Sequence, residues 1–348
     1  MNGAGLGGGG AGPATAPGSS LIERLQRLGS QRYHHRHPFN LLMHAGKLTQ
    51  DELRSWVANR YYYQTRIPIK DALILAKSED SAFRRAWAQR LADQDGPPGT
   101  EQDGDGEPAS GLALWRRLAE ACGVAAADLD AHRLLLPRVR RACDEYVDLV
   151  RGADLVTAVA SSLTEYFAGD IMRVRLEAWT RHYPWVVPEA LRYFELRIRQ
   201  ARADSRFGLA FVEAHAITEE QQERCLRAFE AKCTILWDML DAIYVACRRG
   251  QTPRLAPRAG LGEPEPHGED GEDGEDGGCL LLPERGLSLN GTARAVLERC
   301  DGTRTVEELA AELATQHGAP PDRVLHDLAT FLGEMERQRV LVFEGARQ

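Results

Sequence analysis

The segment VANRYYYQTRIPIKD, residues 57–71, places polar side chains where a packed helix should be apolar. A Thr-x-x-Glu capping box at Thr49 and Glu52 predicts the start of this helix. Continuing the apolar stripe that follows at helical spacing brings Arg60 and Gln64 onto the inward face. A buried charge without a partner costs on the order of several kcal/mol. An internal anionic ligand or an internal Arg–carboxylate pair would each satisfy this face, and the segment alone does not distinguish them.

Inward-facing polar residues recur in three later helical patterns. They are Glu165 and Arg175 in the helix predicted for 154–179, Tyr193 and Arg197 in that for 189–204, and Lys232 in the middle of that for 218–248. A lysine inside a helix can extend its ammonium group to water, so each observation alone is weak. Together they predict one internal cavity for a polyanionic, aromatic or quinonoid small molecule.

Composition narrows the class of protein. A length of 348 residues predicts two domains, and 43% hydrophobic residues suffice for a core. The net charge of −8 argues against nucleic acid or an anionic membrane as a partner. Seven cysteines without framework spacing favour a reducing cytoplasm. No apolar run approaches the ~18 residues of a membrane span.

Residues 20–248 predict an all-α bundle, preceded by a disordered Gly-, Ala- and Pro-rich tail at 1–19. Pro68 is expected to kink or break the chain between two helices. Helices are predicted at 21–30, 49–65, 68–78, 80–93, 111–123, 137–151, 154–179, 189–204 and 218–248.

After residue 248 the pattern changes. Residues 249–278 predict a Pro-rich, acidic linker that can include the start of the next domain, and 279–348 predict a small α+β winged-helix-like domain. Its elements are strands at Cys279–Leu282, Leu287–Leu289 and Val340–Phe343, and helices beginning at Asn290, Thr305 and Pro320. DNA binding is the common function of such a domain, but its last helix carries no basic stripe.

The motifs of both regions resemble proteins of one pathway. Residues 31–248 resemble pyrroloquinoline-quinone (PQQ) synthase, and residues 253–348 resemble the peptide chaperone of PQQ biosynthesis. The first resemblance rests on Tyr33-His34 with His37-Pro38, VANRYYYQ and IPIKDA (57–72), SSLTE (161–165), HYPW (182–185), Tyr193-Phe194 with Arg197, and Lys232 before ILWDMLDA. The second rests on LLLPERGLSLN (280–290) and CDGTRTVEEL (300–309).

This resemblance implies a heme-oxygenase-like helical bundle that forms a homodimer and uses no metal or organic cofactor. It also implies ring closure and oxidation of a polycarboxylate quinone precursor to PQQ, with dioxygen as oxidant and hydrogen peroxide as product. The implied catalytic residues are His34, Glu165, Tyr193, Arg197 and Lys232, with proton transfer assigned to His34, Glu165 and Tyr193. The implied substrate-binding residues are Tyr33, Arg60, Gln64, Lys70, Arg90, Gln94, Tyr146, Thr164, Met172 and Arg175.

Two positions depart from the family pattern. Gln94 stands in Asp-Gln-Asp-Gly where the family has Asp-His-Asp-Gly, and Met172 replaces a histidine seven residues after Glu165. Neither glutamine nor methionine can shuttle a proton at neutral pH. A non-catalytic binder or pathway scaffold, or an enzyme of partial activity, is therefore the alternative hypothesis.

Other functions of the same fold are disfavoured. An iron oxygenase would need the histidines that Gln94 and Met172 remove, and His34, His35 and His37 are poorly spaced for one metal. A thiamine-degrading hydrolase would need a cysteine on the polar faces.

The C-terminal region is predicted to bind the precursor peptide by strand addition at an exposed edge near Cys279–Leu282 and to present it to a radical enzyme. A plain dimerisation or stabilising domain is the alternative.

Overall fold

The computed structural model describes residues 19–96, 110–257, 259–262, 278–282 and 285–344. Except for Ser19, the predicted tail lies outside these ranges. So do most of the acidic loop near 95–110 and the acidic run at 269–276. Among the described residues, no helix combines the length and the apolar character needed to cross a bilayer.

In the described part of the region up to Arg248, all regular secondary structure is helical, which confirms the all-α prediction. The long helix α3 packs against α4, α5 and α7, and α11 packs against α1, α7 and α8. The α-helices are α1 (Leu21–Arg32), α2 (Pro38–His44), α3 (Gln50–Leu75), α4 (Ser81–Asp95), α5 (Gly111–Ala121), α6 (Ala126–Asp130), α7 (Pro137–Gly152), α8 (Leu155–Ser162), α9 (Ala168–His182), α10 (Arg192–His215) and α11 (Glu219–Arg248).

Helix α3 runs unbroken through Pro68, so the predicted break there is wrong. Proline has no N–H, so the carbonyl of Gln64 loses its helical partner. The side chain of Gln94 replaces that partner, because its Nε2 donates to Gln64 O at 3.2 Å. A side chain from α4 therefore compensates the defect and keeps the inward face of α3 continuous.

The single helix predicted for 154–179 is also wrong. The chain forms α8, then a 3₁₀ turn at Leu163–Phe167, then α9. The Ser161 hydroxyl donates back to Ala158 O at 2.7 Å, a local bond that competes with regular helix near this point. Thr164 and Glu165 consequently lie in the tighter turn, so their side chains do not follow the stripe of α9.

The C-terminal domain contains strands and helices near the predicted positions, although it starts earlier in the chain. Strand β1 pairs antiparallel with β5, and a second sheet has the order β2-β3-β4. The elements are β1 (Thr252–Leu255), β2 (Gly260–Gly262), β3 (Gly278–Leu282), β4 (Arg285–Leu289), α12 (Gly291–Glu298), α13 (Val306–His317), α14 (Pro321–Arg337) and β5 (Leu341–Glu344).

Strands β1 and β2 fall inside the range predicted as linker. Because β2 pairs with one side of β3 and β4 with the other, β3 is an inner strand. The prediction of an exposed edge at Cys279–Leu282 is therefore wrong. Among the described strands of this sheet, the edges belong to β2 and β4.

The C-terminal domain docks on the bundle. Helix α14 packs against α11, and Val245 of α11 belongs to the apolar core of the C-terminal domain. The buried Arg248 forms ion pairs with Glu52 of α3 and with Glu336 of α14, the second at 3.2 Å. Tyr244 also donates to Glu336 at 3.1 Å. These bonds tie the two regions through the last helix of the bundle.

Candidate functional site

Helix α3 supplies the centre of a buried polar site. Neighbouring helices cover it, so Arg60, Gln64 and Lys70 are only 8%, 1% and 1% exposed. The prediction that Arg60 and Gln64 face inward is thereby confirmed. Helices α9 and α11 add Arg175 and Lys232, which are equally buried.

One part of the site is a set of ion pairs that we call the paired cluster (Lys70, Asp71, Arg90, Glu165, Arg197 and Asp204). Lys70 Nζ lies 2.7 Å from Asp71 Oδ1. Arg90 bonds to Glu165 and lies 3.4 Å from Asp71 and 3.5 Å from Asp204. Arg197 contacts Asp204 at 3.7 Å and is partly exposed. The cations and carboxylates of this cluster therefore neutralise each other.

Charge pairing sets the protonation of the paired cluster. Burial opposes ionisation of Glu165, but the charges of Arg90 and Lys70 outweigh it and lower its pKa to about 2. Burial alone would lower the pKa of Lys70, and Asp71 reverses this so that the pKa is raised. Glu165 is thus a fixed carboxylate at neutral pH. A carboxylate with so low a pKa is a weak base, so Glu165 is poorly suited to taking up a proton.

The other part is the unpaired group (Arg60, Arg175 and Lys232). Among the described residues, no carboxylate forms an ion pair with any of the three. Lys232 is 0% exposed, and its Nζ has no hydrogen-bond partner in the part of the chain that the structure describes. Burial and the nearby charge of Arg60 hold the pKa of Lys232 well below its usual range. The group therefore has uncompensated positive charge or, at Lys232, an amine that gives up its proton easily.

Aromatic rings surround the unpaired group. Lys232 Nζ lies 3.3 Å from the ring centroid of Tyr146 and 4.3 Å from that of Tyr63, and the two rings are nearly parallel. The guanidinium of Arg60 lies 4.1 Å from the Tyr63 ring. Ring faces offset part of the cost of burying a cation, but they leave its charge in place.

Arg175 contacts an amide, a thioether and an aromatic ring, and no carboxylate among the residues described. Its Nη2 donates to Asn40 Oδ1 at 3.1 Å, its Nη1 contacts the sulfur of Met172 at 3.7 Å, and it lies over Trp56 at 4.8 Å. Burial and the charge of Arg60 lower the pKa of Arg175 to about 9. The guanidinium therefore remains charged at neutral pH.

An amide pair lies between α3 and α4. Gln94 Nε2 donates to the backbone carbonyl of Gln64 and to Gln64 Oε1, both at 3.2 Å. The Tyr193 hydroxyl donates to the same Oε1 at 3.0 Å. These bonds fix the orientation of the Gln64 amide and leave its NH₂ group for another acceptor.

The remaining predicted residues lie around these groups. The Ser162 hydroxyl accepts from Lys70 at 3.0 Å and bonds to Tyr146 at 3.3 Å. Thr164 is 4% exposed. Tyr33 packs against the imidazole of His34, with ring centroids 4.3 Å apart.

Sequence reasoning did not select Asn40, Asp71 or Asp204. Asp71 directly follows Lys70 in the motif IPIKDA, so its proximity to that lysine was available from the sequence. Asn40 lies in α2, a short helix absent from the predicted elements. Asp204 is the last residue of the helix predicted for 189–204, and it lies near the middle of α10.

Neither metal nor thiol chemistry finds support in the described residues. They contain no group of three or more His, Cys, Asp or Glu side chains arranged to hold a metal ion. Burial raises the pKa of Cys143 and of Cys233 to about 12, so neither is a thiolate at neutral pH.

Comparison with known proteins follows the same division of the chain. The TENA/THI-4/PQQC family matches residues 22–242. The chain belongs to this family. A second match, to coenzyme PQQ synthesis protein D (PqqD), covers residues 278–341, so the chain joins a PQQC-type domain to a PqqD domain.

Two relatives agree with both matches. Over 240 residues the chain is 44% identical to "Pyrroloquinoline-quinone synthase" of Pseudomonas syringae pv. tomato, which covers 69% of this chain and 92% of the relative. It is 35% identical to "Bifunctional coenzyme PQQ synthesis protein C/D" of Methylorubrum extorquens, over 92% of this chain and 94% of the relative. The resemblance drawn from the motifs is confirmed, and with it the prediction of an enzyme of the PQQ-synthase type with a role in PQQ biosynthesis.

A solved structure identifies the fold. A domain of unknown function with a heme oxygenase-like fold from Shewanella denitrificans matches with a TM-score of 0.53 at 12% identity, covering 66% of this chain and 94% of that one. At this identity the likeness concerns the fold alone. It confirms the predicted heme-oxygenase-like bundle.

Proposed function

We propose that this chain catalyses the oxygen-dependent ring closure and oxidation of a polycarboxylate quinone precursor to PQQ, without metal or organic cofactor. The unpaired group is the observation that supports this proposal most directly. Buried cations without acidic partners are costly when no ligand is bound. A ligand with several carboxylate and quinone oxygens would supply the missing negative charge.

The unpaired group would perform two tasks. Arg60 and Arg175 would bind carboxylate and quinone oxygens by charge-assisted hydrogen bonds, which strengthen in a dry site. Lys232, whose pKa is lowered, would accept a proton from the precursor as it is oxidised. The charges of Arg60 and Arg175 would stabilise enolate and superoxide, the anions that an oxidation by dioxygen alone has to form.

The paired cluster would orient the substrate. Lys70, Arg90 and Arg197 are already bound to carboxylates, so they would present hydrogen bonds with little net charge. Glu165 would hold Arg90 in place, and its low pKa makes it a weak candidate for proton transfer. Gln64 and Tyr193 would add neutral hydrogen bonds, and Tyr33, Tyr146 and Thr164 would enclose the rings.

The PqqD domain would bind the precursor peptide of the pathway and present it to a radical enzyme. Strand addition needs an edge strand, and among the described strands of the sheet these are β2 and β4. From the family we also infer that the chain is a homodimer in the cytoplasm. Light scattering on the purified chain would test the dimer.

The experiment is anaerobic addition of the ring-open precursor followed by oxygen. A spectrum that advances through a quinol to the quinone, with release of hydrogen peroxide, supports the proposal. A static spectrum after oxygen is admitted, with precursor still bound, contradicts it.

A specific observation favours a second function, that of a binder or scaffold with partial or no turnover. Gln94 is bonded to Gln64, and Met172 contacts Arg175, at positions where the family has histidines. Neither side chain can relay a proton. In the same experiment, a bound but unreacted precursor would support this second function.

A further inference from the structure

Asn40 links an unpaired cation to a buried imidazole. It is 0% exposed in α2, and its side chain contacts both Arg175 and His34. The Nδ2 atom lies 2.7 Å from His34 O and 2.9 Å from His34 Nδ1. The Oδ1 atom accepts from Arg175 at 3.1 Å. Each polar atom of the amide therefore has a partner.

These partners fix the orientation of the amide. A guanidinium can only donate, so the atom of Asn40 that faces Arg175 is the oxygen. The nitrogen then faces His34, where one of its hydrogens is taken by the backbone carbonyl. The other can be accepted at Nδ1 only if Nδ1 carries no proton.

The imidazole of His34 is neutral at ordinary pH. Burial holds its pKa well below the usual range, and the charges of Arg60, Arg175, His37 and Lys232 act in the same direction. With Nδ1 bare, the one ring proton is on Nε2. Among the described residues, Nε2 has no hydrogen-bond partner, so its N–H is left for a bound molecule.

We propose that Asn40 is a positioning residue that fixes His34 in the Nε2–H tautomer, so that His34 donates a hydrogen bond to an oxygen of the bound substrate. Of the proton transfer for which His34 is a candidate, this role excludes the step in which the ring accepts a proton from the substrate. A ring whose Nδ1 is occupied by Asn40 and whose Nε2 carries a proton has no free lone pair. The identity of the bound molecule rests on the proposed function, but the tautomer does not.

The first test is ¹⁵N NMR of histidine-labelled, ligand-free full-length protein. The His34 signals are assigned by their loss in His34→Gln. The expected pattern is a protonated Nε2 and a bare Nδ1. A proton on Nδ1, or a doubly protonated ring at neutral pH, would overturn the inference.

The second test exchanges the amide for a carboxylate. In Asn40→Asp the carboxylate still accepts a hydrogen bond from Arg175. It has no hydrogen to donate to His34, so it can only accept a hydrogen bond from that ring. The proton should therefore move to Nδ1, and turnover should fall about tenfold to a hundredfold. Asn40→Ala should give a mixture of tautomers. If the tautomer of His34 is unchanged in both variants, Asn40 does not control it and the inference is overturned.

Asn59 is the matched control. It is 1% exposed and has three comparable bonds, to Ser55 O at 2.9 Å, Leu134 O at 3.1 Å and Leu136 N at 2.8 Å. Asn59→Ala should lower the melting temperature and leave the His34 signals in place. A tautomer change in this control would show that loss of packing, and not Asn40, controls His34.

Adding PQQ separates this inference from the proposed function. If His34 donates to the ligand, the Nε2–H signal shifts on PQQ binding in the wild type, and the shift is lost in Asn40→Asp. If the expected tautomers are seen but the precursor is not oxidised, the proposed function fails and the inference stands. PQQ binding that leaves the Nε2–H signal unmoved would overturn the donor role.

Discussion

The paired cluster and the unpaired group lie in one bundle and both contain lysine and arginine, but these cations contact different kinds of group. Lys70 and Arg90 contact carboxylates, while Lys232 and Arg175 contact tyrosine, tryptophan and amide groups. The first set is satisfied before any ligand arrives. The cations of the second set have no carboxylate partner among the described residues, so an acidic ligand can supply the counter-charge. Binding specificity is therefore expected to depend on the second set, and the shape of the site on the first.

Removing a cation from the paired cluster should have the largest effect on folding. Arg90→Met would leave Glu165 and Asp71 with less compensation, and loss of one partner of a buried pair costs about 3–5 kcal/mol. Urea unfolding of the ligand-free protein measures this. Arg173→Met, which removes an exposed pair with Asp170, should cost less than about 1 kcal/mol. Equal losses in both variants would remove the distinction between the paired cluster and a surface pair.

Removing a cation from the unpaired group should act on turnover and not on folding. Lys232→Met should lower kcat about 100-fold or more, because the group proposed to accept a proton from the precursor is lost. Its free energy of unfolding should stay level or rise, since a costly buried amine is replaced by an apolar chain of similar length. The exposed Lys47→Met is the control for both measurements. A strongly destabilised Lys232→Met with normal turnover would reverse the comparison.

Restoring the two histidines of the family pattern should speed up the oxidation. Gln94→His together with Met172→His should raise the rate of quinone formation about tenfold or more, because each adds a group able to transfer protons near neutral pH. Stopped-flow spectra after oxygen addition measure this rate. The variant also removes the amide that satisfies Gln64 O, so its melting temperature serves as a check. No change in rate with an intact fold would contradict the role given to these positions.

The smallest expected effect is on the pH dependence of stability. Lys232 has a lowered pKa in the folded protein, so below about 10 the unfolded chain binds more protons at this position. Its contribution to stability therefore grows as pH rises from the folded pKa towards the unfolded one. The melting temperature of the wild type should gain on that of Lys232→Met between neutral pH and pH ~10. A constant difference would indicate that Lys232 is paired in solution.

The sequence predicts the inward polar face well but not its partners. The spacing of Arg60 and Gln64 after a capping box suffices to place them inside, because helical periodicity is local. Which cations find carboxylates depends on contacts between distant elements, such as Arg90 with Asp204. Of the two alternatives left open for the face, carboxylate pairing is seen at Arg90 of α4, whereas Arg60 of α3 has no carboxylate partner among the described residues.

Local rules also failed where another element intervened. Pro68 does not break α3, because Gln94 from α4 satisfies the carbonyl that proline leaves unpaired. The edge predicted at Cys279–Leu282 is covered by β2, whose residues read as linker. Docking of the C-terminal domain depends on Arg248 bridging Glu52 and Glu336, and these three positions are far apart in the sequence.

The most direct test of the central claim is a crystal structure of the protein with PQQ bound. We expect carboxylate and quinone oxygens within hydrogen-bond distance of Arg60, Arg175 and Lys232, with the ion pairs of the paired cluster unchanged. PQQ bound away from these three cations, or bound only after Arg90 has left Glu165, would contradict the account.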